Sequence, residues 1–377
     1  MKIFAKTLFH PEQWLTNQVI CVQDQHILSI SDAQEIDYAK CDETHDIIIP
    51  GFIDIQVNGG GNALFNDKPD IECLTQIFAA HQQYGTVGML PTLITDDFNK
   101  MARAADAVAK AINTEHAGVL GIHFEGPWLS AARKGVHEAR FIRPPSDREI
   151  ALLERNDIGK VMVTLAPETV PASLITQMRE LGILVFLGHS NATLEQVNEA
   201  LDAGAIGFTH LFNAMSQMQS RAPGMVGAAL ASDASFAGII VDGHHVDPSC
   251  CKAAFLAKTR EKLMLVTDAM ALAASEKMRM DFFDTHIIRS GNKLSTPDGT
   301  LAGSCLTMID AVKNMHELCG VSLHDSVYMA SHTPSILLGL PNNEIGLQSG
   351  APATFISIDK TCSIQQLWNR GQPIKPL

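Results

Sequence analysis

The sequence predicts an α/β fold: a TIM-like (β/α)8 barrel with a small β-sandwich domain that is built from both chain ends. Two observations support this prediction. From Pro50 onward, eight short apolar runs alternate with segments whose apolar residues recur every three to four positions. Before Pro50, and again near the carboxyl terminus, apolar and polar positions alternate between turn residues, as is typical of short antiparallel strands.

The same change of pattern predicts the domain bounds. We expect residues 1–49 and 344–377 to form the small β domain and residues 50–343 to form the barrel. VICVQDQHILSISDA represents the first part of the β domain, and ATFISIDKTC the last. Residues 284–304 carry turn signals between short apolar runs and are expected to form a hairpin insertion near the end of the barrel.

The barrel elements follow from the periodicity of each segment. The eight runs expected to be strands are FIDIQV, GMLPTLIT, VLGIHFEG, KVMVTLAP, ILVFLGHS, AIGFTHLF, FAGIIVDG and LMLVTDAM. Runs this short and this rich in Val, Ile, Leu and Phe are typical of strands buried on both faces. The segments expected to be helices include IECLTQIFAAHQQYG, FNKMARAADAVAKAINTE, SLITQMRELG and TLEQVNEALDAG.

Composition limits the classes of partner. The formal net charge is −13 over 377 residues, which argues against a nucleic-acid partner because such partners require a basic face. No apolar run approaches the roughly 20 residues that span a bilayer, and the amino terminus does not resemble a secretion signal. We therefore expect a cytoplasmic protein with no membrane partner. An anionic substrate would need a local cluster of Arg, His and backbone N–H groups.

Four of the predicted strands end on residues that can hold or activate a metal-bound water. These residues are Glu125, His189, His210 and Asp268. In a (β/α)8 barrel the carboxyl ends of the strands form one rim, and the chemistry is found there. One carboxylate and two imidazoles are plausible ligands for zinc or ferrous iron, and a further carboxylate can act as general base. The pattern indicates metal-assisted hydrolysis.

Each of these residues also has a structural explanation. A histidine at the end of a buried strand is more often a hydrogen-bonded structural residue than a ligand, and a lone Asp or Glu there can cap the next helix. The functional interpretation is favoured because four separate strands each place such a group on the same rim. In that interpretation Asp268 takes a proton from water and returns it to a leaving amine.

Several motifs, in this order, resemble those of the N-acetylglucosamine-6-phosphate deacetylases of the amidohydrolase superfamily. They are PGFIDIQVNGGG, HFEGPWL, KGVH, GHSNAT, THLFNAM, DGHHVD, VTDAM and GTLAGS. The similarity extends from Pro50 to the end of the barrel. HFEGPWL, THLFNAM and the downstream TDA are together highly specific, whereas GHS or DG alone is weak.

The resemblance implies a role for each matching residue. It assigns Glu125, His189 and His210 as ligands of a divalent metal and Asp268 as the catalytic acid/base. It assigns His137 to the substrate and its amide carbonyl, Asn213 and Ala214 to the sugar, Arg221 and His245 to the phosphate, and Ala302, Gly303 and Ser304 to a loop that closes over the substrate.

Simpler explanations remain for some of these assignments. A loop arginine such as Arg221 is usually solvated, but this acidic chain needs a cation for any phosphate. His245 follows His244, and only one of the two needs to face the site. Asn213 can equally cap the next element.

One motif departs from the pattern of many amidohydrolases, which carry His-x-His at the end of the first barrel strand for a second metal. This chain has Gln56-Val57-Asn58, and amide oxygens are poor ligands for zinc or iron. We therefore expect one metal ion per subunit, with Gln56 and Asn58 near a water or the substrate. Zn²⁺ is the first choice, and Fe²⁺, Mn²⁺ and Co²⁺ accept the same ligands. His123, two residues before Glu125, is expected to lie deeper and is left out of the ligand set.

The resemblance implies deacetylation of N-acetyl-D-glucosamine 6-phosphate in amino-sugar catabolism or recycling, by a homodimer that binds a small sugar phosphate. Two alternatives stay open from the sequence. One is another amidohydrolase, such as a cyclic-amide or N-acyl amino-acid hydrolase, which needs no phosphate site. The other is a non-catalytic sugar-phosphate-binding protein on the same scaffold, although the expected loss of a ligand or of Asp268 is absent from this sequence.

Overall fold

The amino-terminal residues form strands, as their alternating pattern predicts. The structure is a computed structural model that describes residues 1–33, 39–114, 118–341 and 346–374. Its first four strands are β1 (Lys2–Phe9), β2 (Trp14–Gln23), β3 (His26–Asp32) and β4 (Glu43–Pro50). β1 pairs antiparallel with β2 but parallel with β4, because the β2–β3 hairpin intervenes before the chain returns to the other edge of β1.

All eight runs expected to be barrel strands contribute a strand. They are β5 (Phe52–Val57), β8 (Thr86–Ile94), β9 (Gly121–Glu125), β10 (Lys160–Leu165), β11 (Leu184–Leu187), β12 (Gly207–Phe208), β13 (Phe236–Ile239) and β14 (Leu263–Leu265), with the short pair β6 (Gly59–Gly60) and β7 (Ala63–Leu64) after the first. They form a parallel sheet in the order β14-β13-β12-β11-β10-β9-β8-β5. The TIM-like architecture is confirmed.

The sheet closes at the end where the strands finish. The two outer strands of the eight, β5 and β14, are joined by a parallel bridge between Val57 and Ala269, and the N–H of Asn58 donates to the carbonyl of Ala269 at 2.9 Å. This seam lies beside Asp268. The closure of the barrel and the placement of that carboxylate are therefore a single structural feature.

Helices alternate with the strands and cover the barrel. They are α1 (Ile71–Gln82), α2 (Phe98–Asn113), α3 (Asp147–Leu153), α4 (Ala172–Glu180), α5 (Leu194–Ala203), α6 (Gly224–Ala231), α7 (Pro248–Lys262), α8 (Met308–Glu317) and α9 (Leu323–Leu337). Their amino termini are set by local sequence: Asp70 accepts from the N–H of Cys73 in α1, and Thr193 forms a reciprocal capping box with Gln196 in α5. The four predicted helical stretches correspond to α1, α2, α4 and α5, and Glu115 at the end of the second lies outside the described residues.

The predicted hairpin insertion is a three-stranded antiparallel sheet. It consists of β15 (Arg279–Phe282), β16 (Thr285–Ser290) and β17 (Lys293–Ser295), so it begins before residue 284. Buried apolar side chains connect it to the rim of the barrel. They include Phe282, Ile287 and Leu294 of the insertion and Met270 and Ala302 of the rim.

The carboxyl-terminal strands complete the small domain. β18 (Phe355–Ile358), β19 (Ile364–Asn369) and β20 (Gln372–Ile374) join the first four in a sheet ordered β20-β19-β18-β4-β1-β2-β3. The sheet folds back on itself, since the N–H of Ile27 donates to the carbonyl of Ala351 at 2.8 Å. It encloses a buried cluster from both chain ends that includes Ile3, Ile20, Phe355 and Trp368. A β domain made from both ends is thus confirmed.

The domain bounds themselves stay a prediction, and residue 344, the expected start of the last segment, lies outside the described residues. Within the described parts of the chain, every helix is too short or too polar to cross a lipid bilayer.

Candidate active site and metal centre

Three of the predicted rim residues converge on one point. Oε1 of Glu125 lies 3.1 Å from Nε2 of His189 and 3.0 Å from Nε2 of His210. The two Nε2 atoms are themselves 3.0 Å apart. All three side chains are buried, and they form the one cluster of His, Cys, Asp or Glu among the described residues whose geometry could hold a metal ion.

The backbone turns sharply where three of the strands deliver their functional side chains. His189, His210 and Asp268 have φ angles of 47°, 34° and 50°, in the left-handed region that residues other than glycine rarely adopt. Such conformations persist only where the surrounding structure holds them, and they are enriched at functional sites. The turn follows the buried strand directly and directs each side chain toward the mouth of the barrel.

The hydrogen bonding of the three side chains fits a bound cation. Nδ1 of His189 lies 2.9 Å from the carbonyl oxygen of Arg133, which can only accept, so Nδ1 carries the ring proton and Nε2 presents a lone pair. That lone pair faces the carboxylate oxygen of Glu125 and the ring nitrogen of His210. Convergent lone pairs repel unless a proton or a metal ion lies between them, and this donor set is one that zinc and ferrous iron accept.

Asp268 lines the same cavity and is held by amides. Nδ2 of Asn58 donates to its Oδ1 at 2.6 Å, and Nε2 of Gln56 donates to the same oxygen at 3.3 Å. The Gln56 amide also reaches Oε1 of Glu125 at 3.2 Å, so it connects the two carboxylates. Part of the Asp268 side chain stays open to the cavity.

The surroundings shift the pKa values of the two carboxylates in opposite directions. Burial alone would raise the pKa of Glu125. Hydrogen bonds from His189 and His210, formed when protons rather than a metal ion lie between these groups, outweigh burial and hold that pKa well below its usual range. Burial raises the pKa of Asp268 to about 6, and the nearby negative charge of Glu125 adds to the effect. A carboxyl with a raised pKa is suited to accept and release a proton near neutral pH.

His137 is oriented toward the metal cluster as a neutral imidazole. Its ring packs against the ring of His189, with centroids 4.3 Å apart. Nδ1 of His137 lies 2.9 Å from Oγ1 of Thr95, and the backbone N–H of Thr95 donates to the same nitrogen at 3.3 Å. Burial, followed by the neighbouring charge of His189, lowers the pKa of His137 well below its usual range. The residue can therefore act as a neutral hydrogen-bond donor.

Of the two adjacent histidines, His245 faces the cavity. Its Nδ1 lies 2.7 Å from Oδ2 of Asp242, whose other oxygen accepts the backbone N–H groups of His244 and His245 at 2.8 Å. His244 is exposed and its Nε2 lies 2.7 Å from Oδ1 of Asn292 on the insertion. The Asp242 carboxylate fixes the orientation of the His245 ring.

These side chains surround a cavity of about 390 Å³ at the mouth of the barrel. The predicted site residues that line it are Asn58, Glu125, His137, His189, His210, Asn213, Ala214, His245, Asp268 and Gly303. A Cβ at Gly303, where φ is +58°, would lie 2.5 Å from Cγ of Met270, so this position needs glycine.

Four other predicted residues lie outside the cavity lining. Gln56 is buried beneath the two carboxylates that it contacts, and Ala302 is buried under the rim. Ser304 is buried and its N–H donates to the carbonyl of Asp268 at 2.9 Å, which makes it a support of the site. Arg221 is exposed on the loop before α6.

Sequence reasoning missed three residues that shape the site. Arg133 lines the cavity and its carbonyl orients His189, Asp242 orients His245, and Thr95 orients His137. Asp242 could have been found, because an Asp three residues before a candidate histidine in DGHHVD is within reach of its ring. Thr95 and the carbonyl of Arg133 act from other segments, and no local sequence signal indicates them.

A layer of buried polar side chains lies beneath the site. Nδ1 and Nε2 of His123 lie 3.2 Å from Thr92 Oγ1 and 2.7 Å from Thr164 Oγ1, which agrees with the expectation that it lies deeper than the ligands. Asp54 accepts from the hydroxyl of Thr267, and burial raises the pKa of Asp54 to about 7. These contacts brace the strand ends from below.

Comparison with known proteins agrees with this geometry. Residues 47–377 match the amidohydrolase family. An N-acetylgalactosamine-6-phosphate deacetylase of Shewanella sp. (strain ANA-3) is 44% identical over 330 residues, which cover 87% of this chain and 83% of that protein. An N-acetylglucosamine-6-phosphate deacetylase of Vibrio furnissii is 30% identical, with 98% of this chain and 93% of that protein covered.

A solved structure gives the same result for the fold. The crystal structure of N-acetylglucosamine-6-phosphate deacetylase from Pasteurella multocida superposes with a TM-score of 0.92 at 31% sequence identity, covering 99% of this chain and 100% of that one. The match includes both the barrel and the small β domain. The chain belongs to the amidohydrolase family of hydrolases, within its group of N-acetylhexosamine-6-phosphate deacetylases.

Proposed function

We propose that this protein removes the acetyl group from N-acetyl-D-glucosamine 6-phosphate, giving D-glucosamine 6-phosphate and acetate, in amino-sugar catabolism or recycling. The observation that carries the proposal is the convergence of Glu125, His189 and His210 in the lining of a cavity that Asp268 also lines. The substrate class comes from the relatives, which are named for deacetylation of N-acetylhexosamine 6-phosphates.

Glu125, His189 and His210 would hold one divalent ion per chain. Zn²⁺ is our first choice, with Fe²⁺, Mn²⁺ or Co²⁺ as alternatives, because all of them accept one carboxylate and two imidazoles. A bound ion supplies Lewis acidity toward water and toward the amide carbonyl. The amides of Gln56 and Asn58 turn their N–H groups toward carboxylates, which supports a single ion rather than a pair.

The residues of the chain itself perform the proton transfers and orient the amide. His137, neutral and with its proton on Nε2, donates a hydrogen bond to the carbonyl oxygen of the acetamido group. Asp268, as the carboxylate, takes a proton from the attacking water and then passes it to the nitrogen as the C–N bond breaks. A positioned acid/base of this kind contributes about 10²–10⁴-fold in rate.

The remaining contacts would bind the sugar phosphate. Asn213 and Ala214 line the cavity directly after His210 and are proposed to hold the sugar, with Gly303 on the loop that covers it. His245, oriented by Asp242, is proposed to contact the phosphate. Ala302 and Ser304 are buried on either side of Gly303 and support that loop.

Arg221 is proposed to complete the phosphate site in a homodimer. It is exposed and does not line the cavity of its own chain, which supports a contact with the substrate of a second copy. A mixture of Arg221→Ala and Asp268→Asn chains, dissociated and reassociated, tests this. In an equal mixture about half of the dimers are mixed and each of these has one complete site, so the mixture would recover about a quarter of the parent activity. No recovery in the mixture would place the Arg221 contact within one chain.

The galactosamine epimer is a second candidate substrate. The observation that favours it is the 44% identity to the Shewanella protein, which is named for N-acetylgalactosamine 6-phosphate. The two sugars differ at C4 and share the acetamido group and the phosphate, so the proposed proton transfers are the same for both.

Acetate release provides the test of function. The metal-loaded protein is supplied with N-acetylglucosamine 6-phosphate, N-acetylgalactosamine 6-phosphate and unphosphorylated N-acetylglucosamine, and metal content is measured on the same sample. We expect one ion per chain and a kcat/KM that is much higher for the phosphorylated sugars. Equal activity on the unphosphorylated sugar would favour another amidohydrolase, and binding without acetate release would favour a non-catalytic protein. A phosphorylated substrate, together with eight cysteines of which none forms a CxxC pair, supports a cytoplasmic location.

A further inference from the structure

The two carboxylate oxygens of Asp268 have different surroundings. Oδ1 receives hydrogen bonds from Nδ2 of Asn58 at 2.6 Å and from Nε2 of Gln56 at 3.3 Å. Among the described residues, Oδ2 has no hydrogen-bonding partner, and Asp268 lines the cavity. One oxygen is therefore held by the protein while the other is available to a reactant.

The assignment of both amides as donors follows from their partners. The Asn58 amide lies against a carboxylate oxygen, and a reversed amide would set two oxygens 2.6 Å apart. The Gln56 amide lies between Oε1 of Glu125 and Oδ1 of Asp268, and two carboxylates can be joined only by a donor. Oδ1 of Asn58 has no partner in the part of the chain that the structure describes, so the contact of its amide with Asp268 is the one that fixes its orientation.

The backbone holds both amides and the carboxylate in one unit. The N–H of Asp268 donates to the carbonyl of Gln56, and the N–H of Asn58 donates to the carbonyl of Ala269, both at 2.9 Å. Gln56 and Asn58 have exposed fractions of only 1%. The end of β5 and the residues after β14 thus form one hydrogen-bonded seam, and it holds both buried amides beside Oδ1 of Asp268.

We propose that Gln56 and Asn58 are positioning residues that keep Oδ1 of Asp268 as a hydrogen-bond acceptor, so that the proton of the reaction enters and leaves at Oδ2. The inference rests on the proposed function, in which Asp268 moves that proton. The two amides stand where many amidohydrolases have metal-binding histidines. In this proposal they orient the acid/base Asp268 and do not bind a metal or the sugar.

The proton of the attacking water moves to Asp268 and then to the amide nitrogen. An O–H bond of water breaks as its oxygen attacks the amide carbon, and the proton goes to Oδ2. The proton then passes from Oδ2 to the amide nitrogen as the C–N bond breaks, and Asp268 is a carboxylate again. The amine and acetic acid exchange the last proton to give ammonium and acetate.

Loss of an amide donor has a consequence that a merely structural role would not produce. The titratable groups that act on Asp268 are Glu125, Asp54, His210 and His245. All of them remain in an Asn58→Ala variant, whereas the hydrogen bond that favours the ionised form of Asp268 is removed. A hydrogen bond to a charged group is strong enough to move the acid limb of the kcat profile upward by about one pH unit.

The test compares Asn58→Ala with Asn66→Ala, using metal-loaded protein. Asn66 is also a buried amide near the rim, but its Nδ2 donates to the carbonyl of Ile94 at 3.0 Å and to Oδ2 of Asp96 at 3.1 Å rather than to Asp268. We expect Asn58→Ala to shift the acid limb and lower kcat with little change in KM, and Asn66→Ala to lower stability while leaving the limb in place. Asn58→Ser serves if the alanine variant does not fold.

Two results would overturn the proposal. An unmoved acid limb with a raised KM would make Asn58 a substrate contact, and an unmoved limb with unchanged kcat and KM would make it structural.

A second readout needs no turnover: ¹³C NMR titration of the carboxyl resonance that is missing from Asp268→Asn. Its midpoint must rise in Asn58→Ala. If the parent protein released no acetate, the proposed function would fail, whereas this titration would still decide the role of Asn58.

Discussion

Glu125 and Asp268 are two carboxylates that line one cavity, yet their surroundings shift their pKa values in opposite directions. Glu125, at the end of β9, faces two imidazoles at 3.0–3.1 Å, and its pKa is held well below the usual range although burial opposes this. Asp268, after β14, meets only neutral amides, and burial with the charge of Glu125 raises its pKa to about 6. The partners, not the residue type, decide the task of each.

The difference supports the two proposed roles. A carboxylate that stays ionised among imidazoles is suited to hold a metal ion, whereas one that titrates near neutrality can carry a proton. Replacing single carboxylates tests this asymmetry.

Asp268→Asn removes the proton carrier and keeps the shape of the side chain. We expect kcat to fall about 10²–10⁴-fold while the metal and the fold are retained, because general acid/base catalysis is lost and no ligand is. Acetate release measures kcat, metal analysis measures the retained ion and circular dichroism measures the fold, all on the same preparation. Turnover at the parent rate would show that Asp268 does not carry the proton.

Glu149 is a third buried carboxylate and has a purely structural set of partners. Its oxygens accept from Nε of Arg143 at 2.6 Å and from the N–H and hydroxyl of Ser146 at 3.1 and 3.0 Å. Breaking a buried ion pair costs about 3–5 kcal/mol, so we expect Glu149→Ala to lower the free energy of unfolding by that amount in urea titration. Metal content and the acid limb of the folded fraction should be unchanged; loss of the metal would refute the separation between structural and site carboxylates.

The pH dependence of kcat/KM is the most modest effect. Asp268 must be ionised to accept a proton, and its pKa is raised from the ordinary value of 3.8 to about 6. A bound divalent cation favours the ionised form and acts in the opposite direction. We therefore expect the acid limb of the metal-loaded enzyme between pH 3.8 and about 6, with activity lost as the pH falls. A limb above that window would exclude Asp268 as its origin.

Much of the architecture follows from local sequence. Buried parallel strands give unbroken apolar runs, so all eight barrel strands and several helices were predicted, as was the β domain from both ends. The parallel pairing of β1 with β4 and the early start of the insertion at Arg279 depend on how distant segments pack, and periodicity does not report this.

The site shows the same limit. Glu125, His189, His210 and Asp268 could be selected because each ends an apolar run, and the order of the strands brings such ends together. The roles of Gln56 and Asn58 could not, because an amide near a site gives no sequence sign of whether it faces water, sugar or a carboxylate. The contacts of Thr95 and Arg133 with the histidines are equally invisible before folding.

The ratio of metal to protein in two isosteric variants tests the central claim most directly. Glu125→Gln and Asp268→Asn each replace one carboxylate of the cavity by an amide, and both proteins are dialysed against metal-free buffer before metal analysis. We expect Asp268→Asn to keep one ion per chain and Glu125→Gln to lose most of it, since amide oxygens are poor ligands for zinc or iron. Equal loss of the metal from both variants, or its loss from Asp268→Asn alone, would contradict the proposal that Glu125 binds the metal and Asp268 carries the proton.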